Sequence, residues 1–292
     1  MKKNKTTFLT VCAAVAAIVS SGFGLFYTFG GERRMVQNIY GESVILFGDG
    51  IYANDSMLKA GAVKGTDIGI IIVATLLIMT VAVLDKKRFA IFLRCGLLSI
   101  LLYASTCLAM GVNFNRLFPL YVFQFACSLF AFIGNMKVIL HQKSFDVKMY
   151  DIRATGTGIF LIVGGCSTLI WLMFIVPAIF AGEPMEIIEI YTTEPTFVID
   201  LGIILPAAIW CGMALIFKKP EAYQIAPVLL TLLSGVGAIV IFQTIMQSSL
   251  GIQLELGQLF GLVISFVILG GFALALNVRF LRHVEDNNKS SS

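Results

Sequence analysis

The residue of this chain best suited to chemistry is an aspartate inside an apolar stretch. Asp200 lies about one helical turn inside the stretch 197–217, where a carboxylate is costly unless it faces other helices or water. It is therefore a candidate for ligand binding or proton transfer. The alternative, which its shallow depth favours, is a structural hydrogen bond to a neighbouring helix. Arg116, predicted on the same side of the membrane, is its expected partner.

Loop residues predicted on that same side complete the candidate polar site. Pro195 suits the first turn of a helix that Thr193 or Glu194 can cap. In an enzyme, loop carboxylates would act with Asp200 as acid or base, which requires that they converge on one pocket. The additional candidates are Arg116, Tyr191, Thr193, Glu194, Asp49 and Asp55.

A second charge lies inside an apolar stretch, near its other end. Arg94 enters the stretch 90–112 from the side opposite to Asp200, so the two differ in depth by roughly 15–20 Å and do not pair. We expect the guanidinium of Arg94 to reach lipid phosphates or to bind Asp85.

The cysteine and histidine pattern argues against a metal site or a disulfide. All six cysteines fall inside apolar stretches without a CxxC pair, and His141 and His283 have no adjacent carboxylate cluster. Asp49 and Asp55 lack the spacing of an EF-hand loop. The glycines of segment 156–165 are not followed by the Lys-Ser or Lys-Thr of a phosphate loop. We therefore predict no metal, no cofactor and no nucleic-acid partner.

Eight long apolar stretches predict an all-α fold, a polytopic transmembrane helix bundle of about eight helices. Hydrophobic residues make up 58% of the chain and charged residues 13%, which lies outside the soluble globular range. A helix needs about 20 apolar residues to cross the hydrocarbon core. The stretches are 8–29, 68–84, 90–112, 117–136, 159–181, 197–217, 225–246 and 259–278. They leave no room for a soluble domain, so we predict that residues 1–292 form a single integral membrane domain.

The distribution of basic residues predicts the orientation of the bundle. Lysine and arginine concentrate on alternate loops, which places those loops and both termini in the cytoplasm. The predicted outer side holds only five of the 21 basic residues: Arg33, Arg34, Lys59, Lys64 and Arg116. The basic cytoplasmic side is expected to face anionic lipid. A membrane-protein partner, which the sequence does not identify, is the other partner considered.

Two segments outside the apolar stretches have a predicted structure. Residues 30–67 form the longest loop, which we expect to be an ordered cap with a small hairpin or a re-entrant turn around residues 48–50. Thr66 or Asp67 can then cap the second membrane helix. Residues 283–292 are polar and predict a disordered cytoplasmic tail.

Four groups of short motifs carry a resemblance to other membrane proteins. They are Lys64-Gly-Thr-Asp67, Asn115-Arg-Leu-Phe-Pro-Leu-Tyr121, Tyr191-Thr-Thr193 with Asp200-Leu-Gly202, and Lys218-Lys-Pro220 with Tyr223. On these motifs the chain resembles a family of uncharacterised bacterial polytopic integral membrane proteins, and the resemblance extends over most of the chain. The resemblance implies a location in the bacterial inner membrane and supplies no catalytic residue.

Three function classes remain open from the sequence. Small-molecule transport ranks first, because Pro177 and Pro206 predict kinks in the fifth and sixth helices, and transporters use interrupted helices. It predicts a polar cavity that reaches mid-membrane. A non-catalytic partner, sensor or scaffold ranks second and predicts a sealed core. A membrane-embedded enzyme acting on a lipid or envelope substrate ranks third and requires at least two carboxylates at one cavity.

Overall fold

The protein is a multi-pass membrane protein with eight helices that are long and apolar enough to cross a bilayer. The computed structural model describes residues 3–141, 154–253, 257 and 259–289. In these residues the candidate spans are Lys5–Phe26, Met57–Ala82, Ala90–Gly111, Phe118–His141, Thr155–Ala181, Pro195–Ile216, Pro220–Ser249 and Ser265–Val284. The all-α fold class predicted from the sequence is thereby confirmed.

The helices of the bundle are continuous in six spans and interrupted in two. The continuous ones are α1 (Lys3–Phe26), α2 (Met57–Ala82), α3 (Ala90–Gly111), α4 (Phe118–His141), α9 (Pro220–Ser249) and α10 (Ser265–Lys289). The fifth span consists of α5 (Thr155–Cys166), a 3₁₀ segment (Ser167–Trp171) and α6 (Leu172–Ala181). The sixth consists of α7 (Pro195–Ile199), a π-helical turn (Asp200–Ile204) and α8 (Leu205–Ile216).

Helix α9 lies at the centre of the bundle. It packs against α2, α3, α8 and α10, while α1 packs against α2 and α4, and α5 packs against α8. Buried apolar side chains of α3, α8, α9 and α10 form one core, and those of α1, α2, α3 and α4 contribute to a second. The many exposed apolar residues on the outside of the bundle are what a lipid-facing surface requires.

Three glycines let α2 approach α9 closely. Gly61, Gly65 and Gly69 repeat at every fourth position and therefore share one helix face. A Cβ added at Gly65 would collide with the backbone of Gln243 on α9, which shows how near the two helices lie. Small residues at this spacing are a general means of packing membrane helices. The pattern is visible in the sequence, although it does not reveal the partner helix.

The interruption of the sixth span has its physical cause in Pro206. Proline has no N–H to donate, and its ring crowds the carbonyl group four residues earlier. The preceding turn is widened, so that the N–H of Leu205 donates to the carbonyl oxygen of Asp200, five residues back. The sequence correctly indicated an irregular sixth span. In the fifth span the irregular segment precedes Pro177, which itself lies inside α6.

The loop between α1 and α2 contains the two strands of the described chain. Strand β1 (Arg34–Gln37) pairs antiparallel with β2 (Ser43–Leu46), with Arg34 opposite Leu46. We call the end of the bundle that carries this pair the hairpin end. A hairpin around residues 48–50, one of the two predicted alternatives, is therefore not observed, because the strand pair lies earlier in the loop. Gly48 and Gly50 instead adopt left-handed conformations, with φ of 84° and 66°, in a turn that follows β2.

Helix α2 begins at Met57, eleven residues before the predicted start at residue 68. Ser56 is its N-cap, with a side-chain oxygen that accepts a hydrogen bond of 3.2 Å from the N–H of Lys59. The predicted cap by Thr66 or Asp67 is therefore wrong, and residues 57–67 belong to the helix. At the other terminus α10 continues to Lys289, beyond the predicted tail boundary at residue 283, and residues 290–292 lie outside the described part of the chain.

Candidate functional site

A cavity of about 300 Å³ lies at the hairpin end, between α2, α3, α7, α9 and the start of α10. Its charged lining residues are close to the loops, whereas Ile100 and Val236 line its deepest part. Ile100 lies roughly 16 Å along α3 from Gly111, the end of that helix, at 1.5 Å per residue. The cavity therefore reaches about half of the length of α3.

An ion pair stands at the mouth of this cavity. Nζ of Lys59 on α2 lies 2.6 Å from Oε2 of Glu194, and each side chain is 17% exposed. The other oxygen of Glu194 accepts hydrogen bonds from the hydroxyl of Thr196 at 2.8 Å and from its N–H at 3.3 Å, which caps α7. Lys59 also lies 5.0 Å from the ring centroid of Tyr191. These contacts hold the third loop of the hairpin end against α2.

A buried aspartate connects three loops at the hairpin end. Oδ1 of Asp55 accepts hydrogen bonds of 2.8 Å from the hydroxyl of Tyr191 and of 2.8 Å from the N–H of Asn113. Burial raises the pKa of Asp55 to about 6, and the two hydrogen bonds oppose that rise. The next residue, Ser56, donates from its hydroxyl to Glu189, whose pKa burial also raises. The loops that the sequence could not bring together therefore meet.

The deepest carboxylate of the cavity is held by neutral groups. Oδ1 of Asp200 accepts a hydrogen bond of 3.1 Å from the hydroxyl of Tyr103, and Oδ2 accepts one of 2.8 Å from Nε1 of Trp171. Asp200 is only 6% exposed, and no described lysine, arginine or histidine lies within salt-bridge distance of it. Trp171 stacks on Phe197, with ring centroids 4.6 Å apart, and lies near Phe266 at 6.1 Å. Asp200 is thus a carboxylate without a cationic partner in an aromatic wall.

The predicted site residues divide into those at the cavity and those elsewhere. Tyr191, Glu194 and Asp200 line it. Asp55 does not line it but accepts a hydrogen bond from the hydroxyl of Tyr191. Thr193 is exposed and caps nothing, because Glu194 performs that role.

Arg116 does not pair with Asp200, and that expectation is wrong. Its side chain is exposed in the loop between α3 and α4, whereas the cavity is lined by α3 but not by α4. Tyr103 and Trp171 occupy the positions around Asp200 that an arginine would need.

Asp49 lies outside the cavity and organises a turn. Its carboxylate accepts hydrogen bonds from the hydroxyl of Thr28 and from the N–H groups of Phe29, Gly31 and Gly50. These bonds, with that of Thr28 the largest contributor, hold the pKa of Asp49 well below its usual range. Its role in the structure is to fix the chain between α1 and β1.

Sequence reasoning missed four cavity residues. Lys59 was assigned to a loop, and Glu189 was only one of several acidic loop residues. Tyr103 shares a helix face with Ile100, Ala104, Cys107 and Leu108, all of which line the cavity. Trp171 is one of only two tryptophans, and this rarity is the sequence signal by which it could have been identified as a candidate. The spacing on α3 gives a face, but an apolar span has several such faces and the sequence does not select one.

A second buried polar cluster lies on the other side of α2, against α1. Oδ2 of Asp67 accepts a hydrogen bond of 2.8 Å from the hydroxyl of Tyr52, and Nζ of Lys64 donates to the carbonyl oxygen of Gly24 at 2.9 Å. Further along the same helix pair and α4, Ser20 donates to Gln124 at 2.8 Å. These contacts join helices inside the bundle and do not line the cavity.

Arg94 binds Asp85, which is one of the two partners that its position near a helix end predicted. The distance between Nη2 and Oδ1 is 2.8 Å, and the same nitrogen donates to the carbonyl oxygen of Thr80 at 2.7 Å. Arg94 is 4% exposed, so its charge is neutralised within the bundle.

Within the described residues, no three histidine, cysteine, aspartate or glutamate side chains are grouped closely enough to hold a metal ion. The six cysteines are free thiols.

Comparison with protein-family models, with curated proteins and with solved structures finds no match to this chain.

Proposed function

We propose that this protein transports a small amphipathic molecule across the cytoplasmic membrane of a bacterial cell, and that the hairpin-end cavity is its binding site. The observation that carries the proposal is the depth of the cavity, which runs from the Lys59–Glu194 pair to Ile100 at the middle of α3. Substrate sites of transporters lie near the bilayer midplane. A scaffold or sensor predicts a sealed bundle, which would contain no such cavity.

The composition of the cavity wall supports a ligand with two unlike ends. Charged and hydrogen-bonding groups lie near the mouth, and aliphatic side chains of α3 and α9 line the deepest part. Its volume of about 300 Å³ is at the lower end of the usual range for small-molecule sites. The ligand is therefore a compact molecule with a polar head and a short apolar part.

Interrupted helices at the wall also favour transport. Trp171 ends the 3₁₀ segment of the fifth span, and Asp200 begins the π-helical turn of the sixth. Transporters place such interruptions where helices bind substrate and where they move. The two irregular segments meet at the hydrogen bond between these residues.

The charge distribution gives the proposed orientation. Basic loops and both termini face the cytoplasm and its anionic lipid, so the hairpin end and the mouth of the cavity face outward. The ligand then enters from the outside in the state described here.

Cysteine labelling from both sides of the membrane tests the proposal. In a cysteine-free background, Ala104→Cys places a thiol in the cavity, and Ile203→Cys places one on the outer surface of the sixth span, where Ile203 is 61% exposed. A membrane-impermeant maleimide is applied to right-side-out and to inside-out vesicles. Alternating access predicts that Ala104→Cys reacts from both sides and that Ile203→Cys reacts from neither.

Two other results would overturn the proposal. Reaction of Ala104→Cys from one side only indicates a fixed pocket that does not alternate between the two sides of the membrane, which contradicts transport. Protection from both sides, in a protein that remains inserted and folded, indicates a closed cavity and favours a scaffold.

A membrane-embedded enzyme is the second candidate, because Glu194 and Asp200 line one cavity. In this case the pair would act as acid and base on a lipid or envelope substrate. Incubation of the purified protein with envelope lipids, followed by mass spectrometry, tests it. A product that Asp200→Asn abolishes favours the enzyme, and an unchanged lipid profile contradicts it.

A further inference from the structure

The charge state of the ligand follows from an imbalance of charge at the cavity. Among the described residues, the lysine, aspartate and glutamate side chains that line it are Lys59, Glu189, Glu194 and Asp200. Lys59 is already paired with Glu194 at 2.6 Å. The described lining therefore has carboxylates in excess over ammonium groups, and an anionic ligand would meet no free cation there.

The carboxylate of Asp200 is the group most in need of a positive partner. It is 94% buried, because only 6% of the residue is exposed, and both of its hydrogen-bond donors are uncharged. Burial of a carboxylate with neutral donors alone leaves its charge uncompensated. A cation that enters the cavity supplies the missing charge at this point.

The rings around Asp200 suit a cation as well. Tyr103, Trp171, Phe197 and Phe266 all line the same part of the cavity. The negative face of an aromatic ring attracts ammonium groups and repels carboxylates, most strongly where water is excluded. Primary and quaternary amines both meet this requirement, whereas sulfates and fatty acids do not.

The rest of the deep wall is aliphatic. Ile100, Ala104, Val236 and Ile239 line it beyond the ring of aromatic side chains. We propose that the ligand is an amphipathic monocation, an alkyl or aryl amine, with its nitrogen at Asp200 and its apolar part between α3 and α9. This assignment rests on the proposed function, since it names the ligand class of the same cavity.

The two tryptophans provide a direct assay. Trp171 donates to Asp200, whereas Trp210 lies on α8, is 48% exposed and does not line the cavity. Trp210→Phe leaves Trp171 as the sole tryptophan, so that its fluorescence reports the state of the cavity. The variant protein in nanodiscs of zwitterionic lipid is titrated with hexyltrimethylammonium, hexanol and hexanoate, three probes that differ chiefly in head-group charge.

We expect a saturable change of Trp171 fluorescence with the cation, at an affinity about tenfold or more above that for hexanol and hexanoate. Asp200→Asn in the same background should weaken binding of the cation by about tenfold and leave the affinity for hexanol unchanged. Asp49→Asn is the matched control, since it makes the same chemical change outside the cavity. The comparison of the three probes needs no change at Asp200, so it stands even if that variant fails to fold.

The contrary outcomes separate the assignment from the proposed function. Equal or tighter binding of hexanol or hexanoate overturns the cation assignment and leaves an amphiphile cavity. No response to the cation, with normal quenching of Trp171 by aqueous acrylamide, overturns the assignment and leaves the cavity open to water. Absence of both binding and acrylamide quenching overturns the proposed function together with the assignment.

Discussion

The hydroxyl of Tyr191 donates a hydrogen bond of 2.8 Å to Oδ1 of Asp55, two residues 136 positions apart in the sequence. The bond joins the loop that precedes α2 to the loop that precedes α7. Both helices line the cavity, so this contact fixes the relative position of two of its walls. Ser56 adds a second contact, because its N–H donates to the same hydroxyl oxygen at 3.2 Å.

Removal of the Tyr191 hydroxyl should destabilise the protein. Tyr191→Phe leaves the buried Asp55 with one donor fewer and the N–H of Ser56 without its acceptor, so we expect a loss of about 1–2 kcal/mol. Thermal unfolding of the detergent-solubilised protein measures it. Tyr40→Phe is the control, since Tyr40 is 48% exposed. Equal melting temperatures for the two variants would contradict the prediction.

The stability of the hairpin end should fall as the pH rises through the pKa of Asp55. Burial raises that pKa from 3.8 to about 6, so the folded state binds the proton more tightly than the unfolded state. The stability that protonated Asp55 contributes is therefore fully present below about pH 4 and is lost between about pH 4 and about pH 7. The loss is on the order of 3 kcal/mol.

Asp55→Asn should remove this dependence, because its amide has no proton to lose in that range. Melting temperatures of the native protein and of Asp55→Asn across this pH range measure the difference. We expect the variant to gain stability relative to the native protein as the pH rises. A difference that is constant with pH would show that Asp55 does not titrate with a raised pKa.

The ion pair at the cavity mouth should show measurable coupling. Lys59 and Glu194 are each 17% exposed and 2.6 Å apart, so their interaction is screened less than that of a fully exposed pair. A double-mutant cycle with Lys59→Met and Glu194→Gln should give a coupling of about 1–2 kcal/mol in thermal stability. Glutamine keeps an oxygen for the cap of α7, which isolates the charge. Additive effects would mean that the pair contributes nothing.

The close approach of α2 and α9 should not tolerate a methyl group. Gly65→Ala places a Cβ against the backbone of Gln243, which only a shift of a whole helix can relieve, so we expect a loss of about 1–3 kcal/mol. Gly22→Ala is the control, because apart from the adjacent backbone of α1 no atom lies within 4 Å of its added Cβ. Thermal unfolding compares the two. Similar melting temperatures would show that the helices are not in close contact at Gly65.

The sequence predicted contacts between nearby residues better than contacts between distant segments. The position of Arg94 near a helix end predicted either lipid phosphates or Asp85 as its partner, and the structure shows Asp85, nine residues away. The partner of Asp200 was predicted wrongly, because its actual donors, Tyr103 and Trp171, lie 97 and 29 residues away. The start of α2 was also predicted wrongly. Charged residues such as Lys64 and Asp67 are typical of loops, whereas in the structure they lie inside the helix and bind Gly24 and Tyr52.

The sequence by itself determined the class of this protein, its eight spans and the irregular sixth helix. These features depend on local quantities: the apolar length that crosses a bilayer, and the missing N–H of Pro206. Only the tertiary structure decided that Tyr191, Glu194 and Asp200 share one cavity with Lys59 and Trp171. An apolar span has several faces of similar hydrophobicity, so the partner of each face is set by side-chain fit between helices, such as that of Gly65 against Gln243, which no single span contains.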